Sequence, residues 1–222
     1  MLGIVRLHNV PVPKRLTSLL ALLLLALVSG CGGDDSGSSD DASESPTATG
    51  PSVNVPAGVS LTDPGTSLDL GQPASVVYDA GQKRVSVITV TVRKIVTGSM
   101  KRDFKNFVLG PKELKSTPYY VTATVHNDGP GKLGQAKVPL YGYDSTNTYF
   151  SASPIVGDLG VCPGGNLPES FGPKATKQTC QVFLVGKGVT LDEVELRPYE
   201  GFEPIRWPVP ASEEKPKQKP KA

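Results

Sequence analysis

Arg84 to Thr97 reads RVSVITVTVRKIVT, a run in which β-branched residues dominate and helix formers are scarce. Its even positions Ile88, Val90 and Val92 can line one side of a pleated strand, with Thr89, Thr91 and Arg93 on the other, because successive side chains in a strand point to opposite faces. Further along, Tyr119 to Asn127 repeats the pattern. Tyr119, Val121, Ala123 and Val125 share one face, and Tyr120, Thr122, Thr124 and His126 share the other. Thr179–Val185 (TCQVFLV) and Asp192–Leu196 (DEVEL) add two more strands, and Ser75–Asp79, Gln135–Tyr143 and Thr148–Ser151 are weaker candidates. Turn residues punctuate these runs at Ala80-Gly81, Asn127-Asp128-Gly129-Pro130, Asp144-Ser145 and Gly186-Lys187-Gly188. Only Asp103–Leu109 suggests a short turn of helix. Several short strands without alternating helices predict an all-β antiparallel sandwich over residues 66–210, a length sufficient to bury a core.

The flanks read differently. Residues 31–65 are rich in Gly, Ser, Asp, Thr and Pro, with too few apolar side chains to offset the entropy of ordering, and are expected to form a disordered tether. As a flexible coil it would span roughly 30–35 Å. The tail 211–222 (ASEEKPKQKPKA) is likewise expected to be disordered, with Trp207 and Pro208 marking the end of the folded part and Trp207 covering the sandwich edge. Residues 1–30 carry Arg6, Lys14 and Arg15, then an apolar run from Leu16 to Val28, then small residues. That is the layout of a secretory signal. The 13 residues of that run would span roughly 20 Å as a helix, short of a hydrocarbon core of about 30 Å.

Val28-Ser29-Gly30-Cys31 closes that run, and it resembles the lipobox of bacterial lipoproteins: an aliphatic residue, two small residues, then the cysteine that becomes residue one after cleavage. Val28 stands where leucine is commoner. The resemblance covers the first 31 residues and implies a diacylglyceryl group on the Cys31 sulfur, cell-membrane localisation and an extracytoplasmic domain. One acyl chain anchors only marginally, whereas two hold stably.

Charge and cysteine usage follow from this reading. Loss of residues 1–30 removes three of the 23 basic residues and none of the 21 acidic ones, so the formal net charge changes from +2 to −1. The strongly basic footprint of a nucleic-acid binder is missing. Cys162 and Cys180 remain as a pair, which an oxidising compartment would join as a disulfide. The competing reading is a metal site, but two cysteines 18 apart without companion histidines do not supply four ligands. The sequence implies no metal site and no cofactor.

The order of features carries a second resemblance. Leu70-Gly71-Gln72 leads to the long strand, then comes Tyr120 to Asn127 as Tyr-Val-x-Ala-x-Val-x-Asn, and a Val-Phe-Leu-Val strand follows late. This order is similar to the extracellular immunoglobulin-like sandwich domains of actinobacterial lipoproteins and secreted antigens, including the domain-of-unknown-function 4352 group. The likeness covers residues 67–208 at most. It departs at Phe171-Gly172-Pro173-Lys174, where that group carries a Phe-x-Pro-Gly turn. The resemblance implies an immunoglobulin-like fold at the cell surface and brings no catalytic residues with it.

Three chemical constellations are weak on inspection. Gly129-Pro130-Gly131-Lys132-Leu133-Gly134 matches G-x-G-x-x-G, but a dinucleotide site needs a helix to open there, and Gln135–Pro139 is no such helix. His126, the sole histidine beyond residue 30, alternates with threonines on a strand's polar face and has no G-x-S-x-G elbow. Glu193 and Glu195 share a strand face, a spacing that ordinarily marks the solvent side.

The most uneven charge lies between Arg93 and Lys115, where Arg93, Lys94, Lys101, Arg102, Lys105, Lys112 and Lys115 face only Asp103 and Glu113. With Phe104, Phe107, Val108 and Leu109 interleaved, the segment is a candidate surface for anionic lipid, wall polymer or an acidic envelope protein. The plain alternative is a solvated loop whose aromatic side chains tuck into the sandwich. The Cys162–Cys180 loop is a second candidate contact surface. The sequence therefore reads as a lipid-anchored, non-enzymatic binding or structural module. The alternative is an envelope hydrolase with an unrecognised carboxylate site.

Overall fold

Ile88, Val90 and Val92 lie fully buried on one side of the long strand in the computed structural model, which describes residues 50–210. The strands are β1 (Pro73–Asp79), β2 (Val85–Thr97), β3 (Thr117–Asn127), β4 (Leu140–Asp144), β5 (Tyr149–Ser151), β6 (Thr176–Val185), β7 (Leu191–Leu196) and β8 (Ile205–Pro208). A one-turn helix α1 (Met100–Asp103) and a 3-10 turn (Glu113–Lys115) lie between β2 and β3. The strands form two four-stranded antiparallel sheets, ordered β1-β2-β3-β6 and β5-β4-β7-β8. The protein is an all-β antiparallel sandwich. Three consecutive strands lie side by side before β6 joins them, whereas antibody domains change sheets after their second strand. The likeness to those domains is therefore one of two packed antiparallel sheets.

Between the sheets lies one core that draws Ile88, Val90, Val121, Ala123, Val125 and Phe183 from the first sheet and Leu140, Val194, Leu196, Ile205 and Trp207 from the second. Val92 pairs with Ala123 and Lys94 with Thr122, which leaves Arg93 as a bulge residue. One extra residue restores the phase of the strand, so Ile95 opposite Val121 again packs on the core.

Several expectations shift. Of the expected strand 135–143 only Leu140–Tyr143 joins a ladder, as part of β4. Ala136 and Val138 are buried in alternation, as a strand would bury them, but the backbone there bonds the 167–171 loop: the Gln135 amide donates to the Leu167 carbonyl and the Leu167 amide to the Ala136 carbonyl. Trp207 does not cover an edge from outside. It is fully buried in β8, with Val194 as its partner and its Nε1 donating to the Gln72 carbonyl at 3.2 Å. β8 hides in the sequence behind Pro204 and Pro208; proline is tolerated on such an outer strand because one side of the ladder needs no donor.

The expected boundary at residue 66 also falls inside the fold. The Thr62 amide donates to the Ser75 carbonyl, the Gly65 amide to the Glu203 carbonyl, and Ser67 forms a parallel bridge with Arg206. Residues 31–49 of the expected tether, together with the signal segment and the tail, lie outside the described residues.

Candidate functional site

The outer face of the first sheet is apolar at Tyr120 of β3 and at Val182 and Leu184 of β6, and this generates a third layer. Tyr120, Val182 and Leu184 point away from the sandwich interior, where Phe104, Phe107, Leu109, Ile155, Leu159 and Cys162 cover them in a second, smaller core. The aromatic side chains of the basic segment therefore tuck onto the outer face of the first sheet. This layer has two parts, the β2–β3 connection and the chain after β5. Cys162 and Cys180 form a disulfide with 5.2 Å between Cα atoms, which fastens the second part to β6. The Ser153 amide adds a bond to the Val182 carbonyl at 2.7 Å.

One carboxylate organises the connection. Ser99 caps α1, accepting from the Arg102 amide, while the Ser99 amide donates to Asp103 Oδ2 at 2.8 Å. Arg102 grips both Asp103 oxygens, at 2.6 and 3.1 Å, and Tyr120 donates its hydroxyl hydrogen to Oδ2 at 2.8 Å. Arg102 is the main cause that holds the Asp103 pKa down to about 2, helped by Ser99 and Tyr120 and opposed by burial. Burial, then the hydrogen bond to Asp103, drives the Tyr120 phenol well above its usual range.

Arg102 is thus occupied by Asp103, and the remaining candidate cations divide by position. Arg93 and Lys94 are exposed on β2 at the bulge, and Lys101, Lys105, Lys112 and Lys115 are exposed along the connection. Among the described residues, none of these six makes a salt bridge. A groove of about 530 Å³ opens between the two parts of the layer, with Phe104, Phe107, Ile155 and Leu184 among its lining residues and Lys112 and Glu113 on it as well. Val108 and Val156 line it from opposite parts, and their exposures of 104% and 92% place both side chains in solvent. The contribution of Pro154-Ile155-Val156 escaped the sequence reading because these residues follow a three-residue strand and show no period.

The other constellations resolve structurally. A Cβ on Gly131 would run into the Val85 carbonyl oxygen, and one on Gly134 into that of Glu169, so the G-x-G-x-x-G match reflects close backbone packing. His126 is half-exposed, with Nδ1 2.7 Å from Thr176 Oγ1 and Nε2 3.5 Å from Asp128 Oδ1. Glu195 corrects the expectation of a solvent-facing pair: it is buried, and Arg197 Nε donates to it at 2.7 Å. Glu193 is only half-buried, and Arg206 Nε lies 3.5 Å from it and 3.6 Å from Glu195. Arg197 also stacks on Tyr149, 4.1 Å from the ring centre.

No three His, Cys, Asp or Glu side chains gather as a metal site among the described residues. No helix among them is long and apolar enough to cross a membrane. Cys31 and the rest of the lipobox lie outside the described residues. No family model matches the chain, and neither a curated protein nor a solved structure matches it.

Proposed function

We propose that the chain is a lipoprotein anchored through Cys31 to the extracytoplasmic face of the cell membrane, displaying a non-enzymatic binding or structural sandwich. The observation that carries this reading is Val28-Ser29-Gly30-Cys31 at the end of a basic-then-apolar leader. The Cys162–Cys180 disulfide supports it, because such bonds persist in oxidising compartments. Membership among immunoglobulin-like actinobacterial lipoprotein domains is part of the same proposal. The carboxylate pair that an envelope hydrolase would have used gives little support to that alternative, since Arg197 already engages Glu195.

Contact with envelope partners is assigned to the exposed basic face around Lys101, Lys105, Lys112 and Lys115. The test of anchoring is metabolic labelling with radiolabelled palmitate followed by membrane fractionation. Wild-type chain takes up label and sediments with membranes; Cys31→Ala takes up none and is released or mislocalised. Equal labelling of the two chains overturns the reading.

A further inference from the structure

We propose that the outer layer docks the domain onto the anionic surface of the bilayer itself, with Val108 and Val156 entering the headgroup region and the surrounding lysines meeting lipid phosphates. The proposal rests on the anchoring read from Cys31. Its own warrant is the joint placement of apolar tips and unpaired cations.

Val108 and Val156, on the two parts of the layer that line a largely apolar groove, are the most exposed valines among the described residues, well above Val161 and Val96. A soluble polyanion gains nothing from such tips. A bilayer does, because aliphatic side chains gain by leaving water at the headgroup boundary while lysines remain with the phosphates. The charge balance agrees. Lys101, Lys105, Lys112 and Lys115 oppose Glu113 and, in the second part of the layer, Asp158, whereas Asp103 is already neutralised by Arg102. An acidic protein would meet the cations equally well, but would need its own apolar ridge to fill the groove.

Reach favours the membrane further. Eighteen residues lie between Cys31 and Gly50, and even fully extended the connection spans no more than about 65 Å. A lipid-anchored domain is therefore held near its own bilayer, where a surface affinity too weak to recruit a free protein is sufficient. Each lysine near an anionic surface contributes about fivefold in affinity, so replacing three should weaken docking on the order of 100-fold.

The test uses the full chain carrying Cys31→Ser and Val108→Cys, which leaves residue 108 as the one free thiol for a polarity-sensitive fluorophore. A parallel chain carries the label at Thr148, exposed beside β5. Vesicles are phosphatidylcholine alone, or equal parts phosphatidylcholine and phosphatidylglycerol. The expected result is a blue shift and protection from acrylamide at residue 108, but not at residue 148, with phosphatidylglycerol vesicles only. Lys101→Gln, Lys105→Gln and Lys112→Gln together should abolish it while the emission of buried Trp207 stays unchanged.

A label at residue 108 that stays as quenchable with these vesicles as in buffer overturns the proposal. So does an equal shift with neutral vesicles, or a shift produced by soluble polyphosphate and not by vesicles. Palmitate labelling of the wild-type chain reports separately on Cys31. Its failure removes the anchor without altering the fluorophore result.

Discussion

Tyr120 and Asp103, 17 residues apart, are joined by a 2.8 Å hydrogen bond that ties the β2–β3 connection to the outer face of β3. With Arg102 as the main cause, the folded pKa of Asp103 lies at about 2, below the value of about 4 expected for an unfolded aspartate. A depressed carboxylate stabilises the fold fully above its unfolded pKa and loses that contribution as pH falls through the folded one. The connection should therefore hold at pH 4 and above and loosen as pH falls toward 2. Amide hydrogen exchange over residues 98–104, corrected for intrinsic rates, should show this step. Asp103→Asn should exchange fast at pH 7 already, with no step; unchanged protection in that variant would falsify the assignment.

The disulfide makes a separable prediction. Closing an 18-residue loop stabilises by about 3 kcal/mol on the chain-entropy model. A Cys162→Ala, Cys180→Ala chain should therefore melt roughly 10 °C lower. The loss should concentrate in the outer layer, since neither cysteine belongs to the core between the sheets. Exchange over residues 153–165 should rise well before exchange in β2 and β3. Uniform acceleration across both sheets would mean that the bridge supports the sandwich as a whole.

Gly131 offers a third, purely steric test. Its missing Cβ makes room for the Val85 carbonyl and the Ser86 side chain, and its amide donates to Ser86 Oγ at 3.1 Å. Gly131→Ala forces β2 and the 129–134 turn apart, with a cost of about 2 kcal/mol typical of overpacking. A chemical-denaturation midpoint equal to wild type would show that the turn yields freely.

How far the sequence reveals the molecule depends on whether a feature is local. The β2 and β3 patterns are legible because one face of each strand is apolar and the period is two. The third layer is legible only in part: Phe104 and Phe107 interleave with the basic residues and are expected to tuck inward, whereas the role of Ile155 arises only where Tyr120 of β3 and Val182 and Leu184 of β6 present an apolar outer face, which is a property of tertiary packing. In β6, Val182-Phe183-Leu184-Val185 is apolar on both faces, and that continuity was the available signal for a doubly covered strand. β8 was masked by its prolines. Among the candidate cations, composition could not distinguish Arg102 from the lysines, because its pairing depends on how α1 presents Asp103.

Glu195 shows the same limit and supports the last prediction. Its neighbour Val194 fills the core, so parity sends Glu195 to the outer face of the second sheet, yet Arg197 buries it there while Arg206 stands across from it in the ladder. Breaking a buried ion pair from one side costs about 3–5 kcal/mol; Arg197 keeps 26% of its side chain in water, which lowers the figure to about 2 kcal/mol for Glu195→Ala. Glu195→Gln keeps an acceptor for Arg197 Nε and should lose about 1 kcal/mol. Urea unfolding should rank wild type above Gln above Ala. If Ala matches Gln, the carboxylate's burial is a matter of shape alone and the ion pair contributes nothing measurable.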